Sequence, residues 1–202
     1  HHKGTKGVEN RQCIGKKIQM ALGTGDYRYE VQEGWGQLPV GWQYGWIPAV
    51  AVDSRDRVYV YSRSHHPMVV FDQEGNFLKS WGEDVLEDAH GIFLDAEDNI
   101  YCTERNTHCV RKFTSEGNLL WTLGTPGQPG AEGEPFNLPT DLALGPDGQI
   151  YISDGYGNFR IHEYAPDGAL VKSWGTEGNG PGEFNFPHCV RVDPRNRLMV
   201  DD

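Results

Sequence analysis

The chain has 202 residues, enough for one sizeable hydrophobic core, with 26 glycines, 12 prolines and 11% aromatic residues. Its formal net charge of −11 repels phosphate backbones and anionic lipid, which argues against nucleic acid and membrane surfaces as partners. No apolar run is long enough to span a bilayer, and the many turn formers and aromatics predict an all-β protein of short strands.

The chain opens on HHKGTKGVENRQCIGKKIQM, which is polar and lacks the apolar segment of a secretory signal. A cytoplasmic location is expected on that basis. Residues 1–25 are expected to be an N-terminal extension, a tag or linker, and residues 26–202 to hold the fold. Cys13, Cys102, Cys109 and Cys189 show no CxxC spacing and read as free thiols. The segment VQEGWG at 31–36 matches only the end of the repeats that follow it, so it predicts an outer strand entering ahead of the first full repeat.

Three lines then match one another: residues 49–82, 90–124 and 140–175, with a fourth, HCVRVDPRNRLMVDD, at 188–202. The anchor positions Asp53, Asp95, Gly145 and Asp193 recur at spacings of 42, 50 and 48 residues. That period suits a four-stranded propeller blade. In each line an apolar strand (VAV, IFL) lies innermost, a turn follows (DSRD, DAED, GPDG), and an alternating strand comes next (VYVY, IYCT, IYIS). A third strand ends in Phe71, Phe113 or Tyr164, and a fourth ends at Trp81, Leu123 or Trp174. These aromatics are expected to fill the space between blades. The expected fold is an all-β propeller, six-bladed when complete, of which this chain covers about three and a half blades. The open blade edges predict self-association.

Function is sought where the repeats disagree. The residue five before each anchor is Pro48, His90, Thr140 and His188. This position starts the innermost strand, so histidine appears near the axis in alternate blades. Neutral imidazoles around a point with one position left open make a catalytic zinc site. His108 is expected to be structural, His162 to sit on an outer strand, and His65 and His66 to be solvated in a loop. The end of the second strand pairs beside the start of the first, which places Arg63, Arg105 and Tyr156 on the same face. Arginine clamps a carboxylate by parallel hydrogen bonds, and a tyrosine beside a cation can serve as a base. Glu104 and Asp154 are expected to brace the turns that follow them.

The lines DNIYCTERNTHCVRKF and GQIYISDGYGNFRIHEY resemble the NHL family of propellers. Three stretches, HGIFLDAEDNIY, PTDLALGPDGQIYISDGYGNFRI and PGEFNFPHCVRV, look more narrowly like the peptidyl-α-hydroxyglycine α-amidating lyases. The resemblance implies zinc on His90, on His188 and on a third histidine beyond Asp202, with Tyr156 as catalytic tyrosine and Arg63 as essential arginine. It also implies a structural calcium in the central channel, held partly by the backbone carbonyls of Val50 and Ile92. Two departures are visible: the family's disulfide-forming cysteines fall on Gly157 and near Asn137. The expected function is therefore a zinc-dependent lyase that cleaves the C–N bond of an α-hydroxyglycine-type carbinolamide, on a small-molecule or peptide substrate, to an amide and glyoxylate. A non-catalytic NHL propeller that binds a protein or ligand partner is the alternative. A calcium-dependent lactonase-type hydrolase ranks last, because Pro48, His90, Thr140 and His188 are not acidic or amide ligands.

Overall fold

The computed structural model describes residues 21–131 and 134–202, and the sixteen elements assigned among them are all strands. The first two, β1 (Ala21–Thr24) and β2 (Tyr27–Glu30), pair with each other as an antiparallel hairpin. The outer strand expected over 31–36 does not form. That segment turns instead, with the Trp35 amide donating to the Gln32 carbonyl at 3.4 Å. Gly34 and Gly36 sit at φ +80° and +76°, backbone that is not extended, so the glycines that made the segment look like a strand end prevent a strand there.

Residues 36–202 form a separate compact unit. Its first sheet runs β3 (Trp46–Val52), β4 (Val58–Arg63), β5 (Met68–Phe71), β6 (Phe77–Trp81), each antiparallel to the next. The second runs β7 (Ala89–Leu94), β8 (Ile100–Glu104), β9 (Cys109–Phe113), β10 (Leu119–Leu123). The third runs β11 (Asp141–Leu144), β12 (Ile150–Asp154), β13 (Arg160–Tyr164), β14 (Leu170–Trp174). A pair, β15 (Cys189–Val192) and β16 (Leu198–Asp201), begins a fourth. This is the blade pattern of a β-propeller, and the repeat boundaries fall where the sequence placed them.

The turn after three of the four inner strands has one chemistry, an aspartate accepting from the amides two and four residues on; at Gly145 the Gln149 side chain accepts from the Asp147 amide instead. Oδ1 of Asp53 accepts from the Arg55 and Arg57 amides, and Asp193 repeats this with Arg195 and Arg197. Three residues after each anchor the backbone turns left-handed, at Asp56, Asp98, Gly148 and Asn196, residue types that tolerate that region.

Packing between blades is apolar and aromatic. Tyr59, Met68, Trp81, Ile100 and Phe113 share one buried cluster between the first two sheets, with the Trp81 and Phe113 rings 5.0 Å apart. Phe136, Leu142, Ile152 and Tyr164 share the next. Beyond it Val190 is fully buried against Ile161, with Trp174 and Phe184 packed on them. Cys102, Cys109 and Cys189 are free thiols; Cys13 lies outside the described residues. Phe113→Ala should lower unfolding stability by about 3–5 kcal/mol, since it empties a fully buried aromatic site that cannot collapse. Urea denaturation monitored by tryptophan fluorescence checks this, and a loss below about 1 kcal/mol would contradict the packing described.

Candidate functional site

His90 stands on a bulge. The β7–β8 register slips between Ala89 and Ile92, and the extra residue turns the His90 side chain toward the axis. The next residue has to be glycine. A Cβ at Gly91 would lie 2.8 Å from the Thr140 carbonyl oxygen and 2.8 Å from Oδ1 of Asp141, so only a bare backbone lets blade 3 approach this closely. That approach brings the Thr140 carbonyl to 2.7 Å from Nδ1 of His90. A carbonyl only accepts, so Nδ1 carries the hydrogen and Nε2 of the neutral ring is left with its lone pair.

Nε2 of His90 lies 3.1 Å from the Tyr156 hydroxyl, and Nε2 of His188 lies 3.2 Å from the same oxygen. The two imidazole centroids are 4.9 Å apart. Tyr156 follows β12 in a loop whose Gly155 sits against the Pro187 backbone, where a Cβ would be 2.1 Å from the Pro187 oxygen. That contact seats the tyrosine beside His188. Phe186 adds a wall, stacked on His188 at 5.4 Å and edge-on to Tyr156 at 4.5 Å. His90 and His188 also line a cavity of about 290 Å³ bounded by Val50, Ile92, Asp141 and Arg191.

The arginines are tied to the same place. Nε of Arg63 donates to the Ala89 carbonyl at 2.8 Å and lies 3.0 Å from Oδ1 of Asp88. Nε of Arg105 lies 3.1 Å from Oδ2 of Asp88, and its guanidinium sits 5.5 Å from the Tyr156 ring centroid. His90 is buried, and desolvation is the main reason its pKa falls from 6.5 to about 4; the charges of His188, Arg63 and Arg105 lower it further, against the raising effect of the Thr140 hydrogen bond.

Two imidazoles whose Nε2 atoms meet at one point, one of them in the tautomer a ligand needs, suit a divalent metal such as zinc. Among the described residues no group of three His, Cys, Asp or Glu side chains is arranged to hold one. Cys189 lines the cavity, but burial, and then Asp141, push its thiol up to about 11 and keep it protonated at neutral pH. Val50 and Ile92, expected to offer carbonyls to calcium, do border the cavity. Its carboxylate, Asp141, is already paired with Arg191 at 2.5 Å and accepts from the Val190 amide, so an incoming cation meets no uncompensated negative charge there.

The other expectations divide. Glu104 accepts from the Glu87 amide at 2.6 Å and so braces the loop ahead of β7 rather than the turn that follows Glu104, whereas Asp154 does hold its following turn through Asn158 and also accepts from the Asn137 amide. His108 accepts from the Leu138 amide. His162 is fully buried between Ser173 and Asp154, rather than on an outer strand. His66 is not merely solvated: it stacks on Trp42 at 3.3 Å and pairs with Glu83. Gly157 and Asn137, where relatives were expected to carry a disulfide, are in contact, since a Cβ at 157 would lie 2.4 Å from the Asn137 side chain. Sequence comparison of the repeats missed Asp88, Phe186 and the Thr140 carbonyl. Asp88 had one signal, its place two residues before His90 in EDAHG, but the bulge that gives this spacing meaning is not visible in the sequence.

The family model for the NHL repeat matches residues 136–164, the stretch that carries Tyr156. The chain carries an NHL repeat on a β-propeller fold. NHL repeat-containing protein 3 of Homo sapiens is 35% identical over 188 residues, which cover 86% of this chain and 54% of that protein. Peptidylglycine alpha-amidating monooxygenase of Rattus norvegicus is 31% identical over 215 residues, covering 89% of this chain and 22% of that protein. A probable peptidyl-alpha-hydroxyglycine alpha-amidating lyase of Caenorhabditis elegans is 36% identical over 84 residues, 40% of this chain and 24% of that protein. Among solved structures, a streptogramin B lyase matches with a TM-score of 0.58 at 17% identity, over 78% of this chain and 47% of that one, a likeness of fold. The chain thus spans between about a fifth and about a half of the length of these relatives.

The lowered pKa of His90 makes a pH prediction. The unfolded chain binds a proton at this residue near pH 6.5, while the folded protein binds it near pH 4. The folded state therefore has the full benefit of neutral His90 above pH 6.5 and loses it as pH falls from 6.5 toward about 4. In metal-free protein, urea midpoints at pH 7 and pH 4.5 should differ more for the parent than for His90→Gln. Equal differences would show that His90 titrates normally.

Proposed function

We propose that this chain carries the lyase site of an amidating-lyase-type enzyme, which cleaves the C–N bond of a carbinolamide of the peptidyl-α-hydroxyglycine kind. The observation that supports this best is the Tyr156 hydroxyl held between Nε2 of His90 and Nε2 of His188, with the Arg105 guanidinium over its ring. Similarity to amidating enzymes across most of the chain supports it independently.

His90 and His188 are the residues that would hold zinc, and zinc bound there would make a substrate hydroxyl more acidic. Arg63 takes the substrate carboxylate and so fixes the carbinol carbon beside Tyr156. Tyr156 acts as its phenolate, whose oxygen accepts the hydroxyl proton and becomes the phenol. The electrons of that O–H bond form the carbonyl of glyoxylate as the C–N bond breaks, and the proton ends on the departing amide nitrogen. Reactants and products then balance: one carbinolamide gives one primary amide and one glyoxylate.

The test uses the full-length protein with a peptide ending in α-hydroxyglycine. Tyr156→Phe should keep its zinc content and lose turnover by about a hundredfold or more, because only the proton acceptor is removed. His188→Ala should lose both. A protein that takes up no divalent metal, or a His188→Ala variant as fast as its parent, would leave the alternative standing, a non-catalytic NHL module that uses the same face to bind a partner.

A further inference from the structure

We propose that Arg105 is a second arm of the substrate clamp, and that Asp88 positions both arms, so that this face selects ligands with a carboxylate next to the reacting carbon. The inference rests on the lyase reading for the reaction but on different atoms for its argument.

Asp88 is largely buried and fully engaged. Oδ1 meets Nε of Arg63 at 3.0 Å, and Oδ2 meets Nε of Arg105 at 3.1 Å and accepts from the Asn106 amide at 3.1 Å. Its own carbonyl accepts from the Arg105 amide at 3.2 Å, which fixes the backbone of the second arginine as well. Each guanidinium is thus anchored through the nitrogen nearest its stem. Both pairs of terminal nitrogens are left over, and no acceptor for them is found among the described residues. Anchored through Nε, a guanidinium keeps its outer edge for a ligand, and its orientation is set before the ligand arrives.

Charge decides the class of ligand. Within the Arg63–Asp88–Arg105 cluster two guanidiniums against one carboxylate leave one positive charge, in a protein whose net charge is −11 and with the exposed Glu87 as a further carboxylate lining the same pocket as Arg63. A solvated surface arginine would contribute little, but these side chains are about three-quarters buried, at 25% and 27% exposure. The two arms also flank the reacting groups differently. Arg63 bonds the carbonyl of the residue before His90, while Arg105 lies over the Tyr156 ring. A carboxylate has two oxygens, so one arm can take each, with its neighbouring carbon turned toward Tyr156 and the histidines. Arg105 is then a specificity-determining residue, and Asp88 a positioning residue that touches no substrate.

Binding of glycolate and of its neutral counterpart glycolamide to the intact zinc-loaded protein, followed by calorimetry, tests this without turnover. The parent should bind glycolate and prefer it to glycolamide by at least about tenfold. Arg105→Ala should lose about tenfold in glycolate affinity, with glycolamide affinity unchanged, and Arg105→Lys should recover part of the loss. Asp88→Asn should shrink the glycolate preference while its thermal midpoint stays within a few degrees of the parent, a change that a merely structural role would not produce. If Arg63→Ala loses glycolate and Arg105→Ala does not, the second arm is wrong and the lyase reading stands. If neither variant loses it, or the parent does not distinguish the two ligands, the clamp as a whole is overturned. Should the clamp behave as described in a protein that never cleaves the α-hydroxyglycine peptide, the lyase reading fails and the carboxylate site remains.

Discussion

The contact on which the rest of the site depends is the close approach of β11 to β7 at Gly91. With a Cβ there, the Thr140 carbonyl and the Asp141 carboxylate would have to retreat. Without one, the Thr140 carbonyl reaches Nδ1 of His90 and also takes the Thr103 hydroxyl at 2.7 Å. One backbone oxygen therefore fixes the tautomer of an imidazole and ties two blades at the same point. Because the first ring is fixed in its proton and its orientation, its free lone pair faces the same hydroxyl that Nε2 of His188 approaches. A site spread over four blades is rigid only if the inner strands cannot slide, and this contact opposes sliding between the second and third.

The propeller separates scaffold from chemistry. Residues that agree from blade to blade, such as the Asp53 and Asp193 turns and the rings of Phe71, Phe113 and Tyr164, are buried between sheets or spent on turns. Residues that differ, His90 against Thr140 and Arg63 against Tyr156, gather at one end of the inner strands. This is why the fold supports many activities: the packing needs only volume and alternation, and the axial positions are free to vary. The likeness in fold to a streptogramin B lyase at 17% identity is of that kind.

Electrostatics run against the composition. The chain is acidic overall, yet Arg63 and Arg105 stand together, held by Asp88. On the channel side Arg191 neutralises Asp141 in the same way. Each cation is oriented by a carboxylate that it outnumbers or matches, so the local charge is set by pairing geometry rather than by the total. His90 responds to this environment by losing its proton more readily than a free histidine.

The sequence alone determined the blades. A repeat of 42 to 50 residues, alternating strands and glycine-rich turns leave few other ways to bury the aromatics, and these signals are local or periodic, so they can be read without coordinates. It also marked His90 and His188 as the break in that repeat. Where it failed, at 31–36, it read GWG as a strand end, because a short motif does not reveal that its glycines adopt positive φ. Only the tertiary structure decided the rest: that a bulge turns His90 inward, that Tyr156 lies between the two rings, that Phe186 covers them, and that Asp88 ties Arg63 to Arg105. These are contacts between blades or between loops, made by residues as far as 66 positions apart in the chain. Their partners are chosen by how closely the inner strands approach, a distance fixed by packing rather than by any pattern along the sequence.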